Sequence, residues 1–305
     1  MRRVLVSLCA VVAAVTTGCD GGGDGGGRAR QDPRPRPPAL TWQQELRVAD
    51  AQQRLTGQCM NRQGFAYWED RGLTLRESRP VRYVQDDVAW ARTYGYGGRI
   101  EAKSLRVHER NPNGTYRQGL SPSRRAAFDT ALDGGAGARM LTASLPGGGQ
   151  TRKRVGGCTE EAERALYGDP AEWYRTGKVA NGLNALYGEE LRKDRHLTAA
   201  VRAWSRCMKE AGRPHEDPRA AREAVRADTA RLGATRADEA FAAERRTAVA
   251  DATCARETSL RAVATARETH YLDRLRDRFG EDVDTYRHLG RRAYDRAVRI
   301  VPERG

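Results

Sequence analysis

Two short segments, CMNRQGF at 59–65 and CMKEAGR at 207–213, spell Cys-Met-x-x-x-Gly twice in a chain of 305 residues with six cysteines. Glycine enters the left-handed conformation at a helix C-terminus with little cost. Each segment therefore predicts a helix that Gly64 or Gly212 caps, with a cysteine in its last turns. Downstream of each lies a second cysteine in an alanine- and acid-rich helical context, GGCTEEAERAL around Cys158 and DATCARETSLRAV around Cys254. Four cysteines allow three connectivities, and spacing alone does not choose among them. The repeated order of contexts favours Cys59–Cys158 and Cys207–Cys254, each clasping two helices.

Outward from these segments the chain reads as helix after helix. Thr41 caps a run in which Trp42, Leu46, Ala49, Leu55 and Cys59 keep roughly helical spacing. YVQDDVAWARTYGYGG (83–98) predicts a short helix with Gly95 near its end and Val84, Val88 and Ala91 on its inner face. RIEAKSLRVHERNPNGTY (99–116) shows weak alternation and closes in a turn. LSPSRRAAFDTALDGG (120–135) has Ser121 as cap, Pro122 at the first position and Gly134 past the end. Asp217 and Pro218 open another helix, and residues 235–279 lack Gly and Pro and predict one long helix or two with a soft break. The fold class is mainly α: a disulfide-clasped helical bundle with a Gly-rich, loop-rich middle at 135–157. There RMLTASLPGGGQTRKRV reads either as one small β-hairpin across PGGG or as an irregular excursion.

The first residues, MRRVLVSLCAVVAAVTTGCD, carry Arg2 and Arg3 before a short apolar run from Val4 to Val15. That run is shorter than the roughly 20 residues of a membrane span and fits a secretory signal peptide. VTTGC resembles a bacterial lipobox, with Thr16 where such signals usually carry leucine. The resemblance implies a signal peptide at 1–18 and a lipid on Cys19. The Gly-rich, then Pro- and Arg-rich stretch 19–39 has the composition of a disordered tether. Residues 40–195, with Cys59 and Cys158, form the first expected helical unit, and 196–305, with Cys207 and Cys254, the second.

The formal net charge is +14, and only five of the 54 basic residues are lysine. Such an arginine excess follows from GC-rich codons, yet it supports attraction to anionic lipid head groups or wall polymers. The clusters RKR (152–154) and RR (124–125, 245–246, 291–292) lack interleaved aromatics, so no nucleic-acid partner is expected. Cys59, Cys158, Cys207 and Cys254 stand 47 residues or more apart, unlike the close pairs of zinc sites, and no metal or other cofactor is expected. No phosphate loop, nucleophile elbow or H-E-x-x-H helix occurs, so no catalytic residue is assigned. His215-Glu216-Asp217 reads as a surface turn supplying a helix cap. The remaining candidates are Asp86, Asp87, Trp90, Tyr94 and Tyr96, whose carboxylates and rings suit a glycan-binding face. Adjacent residues of a helix do not face each other, so a capping and solvated role for the two acids competes with that reading.

The lipobox, CMNRQGF, DDVAWARTYGYG, NPNGTY, AFDTALDG, GCTEEAERALYG and ADATC together resemble uncharacterised lipoproteins of actinobacteria over most of the chain. The resemblance implies a helical, lipid-anchored domain on the outer face of the cytoplasmic membrane and brings no activity with it. The leading expectation is a non-enzymatic envelope protein that binds an anionic wall polymer, anionic lipid or envelope protein. An enzyme acting on envelope glycans and a solute-binding lipoprotein are the alternatives.

Overall fold

Thr41 opens the first helix as expected, its hydroxyl accepting the Gln44 N–H while the Gln44 side chain accepts the Thr41 N–H. A computed structural model describes residues 37–304. The expected signal peptide, Cys19 and the tether up to residue 36 lie outside the described residues. From Pro37 onward the chain packs as one unit.

The helices are α1 (Trp42–Arg62), α2 (Val88–Tyr94), α3 (Gly98–Glu109), α4 (Pro112–Gly119) and α5 (Pro122–Asp133). A hairpin of β1 (Arg139–Ser144) and β2 (Gln150–Val155) follows. Then come α6 (Gly157–Tyr167), α7 (Pro170–Gly182), α8 (Asn184–Lys193) and α9 (Arg195–Glu210). The chain ends with α10 (Pro218–Leu232), α11 (Ala237–Glu257), α12 (Leu260–Arg274) and α13 (Arg276–Ile300). The fold is mainly α, with one small antiparallel hairpin in the Gly-rich middle. Its register pairs Arg139 with Val155 and Ser144 with Gln150 across the PGGG turn.

The repeated Cys-Met segments form the same helix ending twice. Gly64, at φ +77°, donates its N–H to Asn61, and Phe65 donates to the Met60 carbonyl at 3.0 Å. Gly212, at φ +72°, donates to Lys209, and Arg213 donates to the Met208 carbonyl at 2.8 Å. These paired bonds are the Schellman arrangement, which satisfies carbonyls that a helix end would leave unpaired. Met60 and Met208 are both fully buried, so each ending is pinned by a core side chain. Both disulfides are formed: Cys59–Cys158 joins α1 to α6, and Cys207–Cys254 joins α9 to α11.

Alanines let the helices approach closely. Ala51 of α1 meets Ala293 and Ala297 of α13 in one apolar cluster with Val48, Leu166 and Val301. Ala91 of α2 meets Ala248 and Ala252 of α11 in another. Trp204 and Met208 centre a third on α9, which includes Cys254 and Leu260. The boundary expected at 195/196 falls at the first residue of α9, and each disulfide stays on its own side of it. α13, from the later side, packs against α1, α6 and α7 of the earlier one.

Two segments depart from expectation. Residues 98–109 form helix rather than an alternating stretch. Ile100, Ser104 and Val107 recur at helical spacing and supply a face that an alternation count overlooks. The NGT triplet at 113–115 lies inside α4, where Asn113 bonds the Trp68 backbone through both its carbonyl and its amide. The long segment 235–279 breaks at Ser259, which takes φ +53°, into α11 and α12, and it breaks a second time at Leu275, so that its last residues begin α13 rather than ending one or two helices.

Candidate functional site

α2 is short, and its sequence fixes it at both ends. Asp87 caps it by accepting the Trp90 N–H at 2.9 Å. That bond, with the Arg79 guanidinium beside it, holds the Asp87 carboxyl below the usual range. Trp90 is buried, donates its indole N–H to the Arg76 carbonyl at 3.1 Å, and lies 5.2 Å from the Tyr94 ring. Asp86 is ion-paired with Arg261 of α12.

Beyond α2 the segment YGYGG (94–98) wraps a carboxylate. Glu244 of α11 accepts the Tyr96 N–H at 2.7 Å and the Gly98 N–H at 3.2 Å. Gly95 stands at φ +63°, and a Cβ there would lie 2.6 Å from a Glu244 oxygen. Only glycine permits this approach. Two turns along the same helix face, Asp251 is fully buried. It accepts the Tyr96 hydroxyl at 3.0 Å and the Trp204 indole N–H at 2.9 Å. Burial pushes the Asp251 carboxyl up to about 6 and drives the Tyr96 hydroxyl far above its usual range. Two carboxylates of α11 thus hold the turn between α2 and α3.

This turn forms one wall of a cleft of about 910 Å³ bounded by α3, α10 and α11. Val81, Trp90, Ile100, Val225 and Phe241 give it apolar walls. Arg79, Arg99, Arg222 and Arg226 stand among them. Arg79 pairs with Asp87, and Arg99 pairs with Asp238 while lying 3.9 Å over the Phe241 ring. Arg222 donates to the Tyr83 carbonyl at 2.8 Å and sits 5.5 Å from the Tyr96 ring. Of the acids, Glu77 is held by Lys103, whose hydrogen bond lowers its pKa, and Glu244 is held as described. Among the described residues no group of three or more His, Cys, Asp or Glu is placed to hold a metal ion.

The structure therefore brings together part of the expected set. Trp90 and Tyr96 line the cleft; Tyr94 packs on Trp90 beside it. Asp86 and Asp87 are each engaged by an arginine. Glu244, Asp251, Trp204 and Arg222 were not among the expected residues. A signal for the first two exists: acids at 244 and 251 share the face of α11 that carries Ala248, Ala252 and Ala255, where a solvated acid has no place. His215 lies in the turn before α10, and Asp217 caps that helix through the Arg219 and Ala220 N–H groups.

Set against known proteins, the chain matches no family model, no curated protein and no solved structure.

Proposed function

We propose that this chain is an exported lipoprotein, held at the outer face of the cytoplasmic membrane by a lipid on Cys19, whose helical body binds an envelope component without transforming it. The observation that carries the binding role is the cleft: concave, apolar and set with arginines. Ligand sites of roughly 300–1,000 Å³ with few polar groups are the usual form of a binding pocket. Three of the acids around it serve the fold. Glu77 is neutralised by Lys103, Glu244 is spent on backbone amides, and Asp87 caps α2. Two disulfides suit an oxidising compartment outside the cytoplasm. No helix among the described residues is long and apolar enough to cross a membrane, and in this reading the lipid supplies the attachment.

The excess of arginine makes a polyanion, either wall polymer or anionic lipid, the favoured partner. The test is co-sedimentation of the protein with isolated cell walls and with anionic vesicles across a salt series. The expected result is retention that falls as salt rises. Absence of retention on both at every salt concentration overturns the polyanion partner. Release of soluble fragments from labelled wall glycan overturns the non-enzymatic role. In cells, Cys19→Ser is expected to move the protein from the membrane fraction to the soluble fraction.

A further inference from the structure

The arginines of the cleft are not equally occupied. Arg79 and Arg99 each have a carboxylate partner. Arg222 and Arg226 lie four residues apart on α10, so both rise from one face of that helix. Arg226 is exposed and has no partner among the described residues. Arg222 is half-buried; its one acceptor is a backbone carbonyl, and its Nε is buried without a hydrogen-bond partner. Positive charge beside apolar surface is thus left over at one wall. Apolar side chains share that wall and its neighbours with a few uncharged polar groups: Val225 lies between the two arginines, Phe241 is among the lining, and Thr229 and Ser104 are the hydroxyls. Val81 lines the cleft and is still 42% exposed, so the apolar surface continues outward to solvent. One exposed acid, Glu101, also lines the cleft and has no side-chain partner among the described residues. It disfavours a bulky multiply charged ligand and leaves room for a compact head group.

We propose that the cleft binds a single-chain anionic amphiphile, with its acid head on Arg222 and Arg226 and its hydrocarbon chain over Val81, Val225 and Phe241. Planar guanidinium groups favour carboxylate and phosphate oxygens, and the apolar walls gain from covering hydrocarbon. A fatty acid and a lipid phosphate share this chemistry. A polysaccharide does not, because it offers no hydrocarbon to these walls. The proposal rests on the cleft being the binding site of the preceding section.

The experiment is calorimetric titration of the full chain carrying Cys19→Ser, with its disulfides intact, against dodecanoate, dodecyl phosphate, dodecanol and acetate below micellar concentrations. One dodecanoate or dodecyl phosphate is expected per chain, with dodecanol at least about tenfold weaker and acetate silent. The stronger of the two anionic probes identifies the source as fatty acid or lipid phosphate. Two exposed positions give variants that leave the core untouched. Arg226→Gln is expected to erase most of the preference for the anionic heads. Ala230→Trp, which fills the cleft from α10, is expected to abolish binding of every probe while the melting temperature holds. Failure of both anionic probes to bind overturns the proposal, as does equal binding of dodecanol. Persistence of binding in Ala230→Trp overturns it as well. Wall and vesicle retention of the same protein separates the two readings. Retention without amphiphile binding discards the ligand class and keeps the binding role, whereas loss of both discards both.

Discussion

At Asp251 a carboxyl sits fully buried between a tyrosine hydroxyl and an indole N–H, with no ion pair to its side chain among the described residues. Desolvation outweighs the two hydrogen bonds and the nearby positive charge of Arg222, and raises its pKa to about 6. A folded-state pKa above the ordinary carboxyl value of about 4 means that the folded chain keeps a proton which the unfolded chain releases. The contribution of this group to stability is therefore fully present below about pH 4 and is lost as pH climbs through about 6, by on the order of 3 kcal/mol. Asp251→Asn removes the titration while keeping the shape. Urea unfolding at pH 4.5 and 7.5 should show the parent losing stability relative to the variant at the higher pH. Parallel behaviour of the two proteins would show that Asp251 does not carry the effect. The other groups on this patch, Glu244, Arg222 and Tyr96, stay the same in both proteins, so the comparison isolates the one carboxyl.

Individual helices were largely legible because their signals are local. Ser121-Pro122 and Asp217-Pro218 fix helix starts, and both function as such. The two glycines of the Cys-Met segments fix helix ends. Even the break at Ser259 had a trace in the length of an uncapped run that exceeds an ordinary helix. The segment at 98–109 was misread because its apolar residues are few and its face is completed by a distant loop. Gly72 lies so close to Val107 that a Cβ there would sit 2.4 Å from the valine methyl. The candidate site was half legible for the same reason. The aromatic and glycine half is contiguous, whereas the bonds from Tyr96 to Glu244 and Asp251 span 148 and 155 residues. No window of sequence contains both ends. The disulfides are the elements' other long-range ties. In the chain-entropy picture, closing separations of 99 and 47 residues is worth about 5 and about 4 kcal/mol. Replacing Cys59 and Cys158 together by serine is therefore expected to lower stability at least as much as replacing Cys207 and Cys254. Denaturant midpoints for the two double variants would test the order, and a non-reducing peptide map should recover both pairings.

At the scale of the whole molecule, the chain returns to where its described part begins. α13 packs along α1, and Arg304 grips Asp50 of α1 with two nitrogens while donating to the Leu73 carbonyl at 2.7 Å. Asp50 is 2% exposed, so Arg304→Ala would leave a buried carboxylate without its counter-charge. The expected loss is about 3–5 kcal/mol, seen as a lower denaturant midpoint. A loss near zero would mean that water replaces the arginine at this seam. The two bridges also decide how the molecule responds to pulling. Tension applied at its two ends runs along α1 to Cys59, crosses the first bridge to Cys158, and later crosses from Cys207 to Cys254. The chain inside each covalent loop carries no load, which hides roughly 500 Å of contour from any stretching force. The turn that cradles Glu244 and most of α10 and α11 lie within those loops. A protein tugged between a surface and its partner would therefore yield elsewhere first, and only reduction of the bridges would let the force reach the cleft.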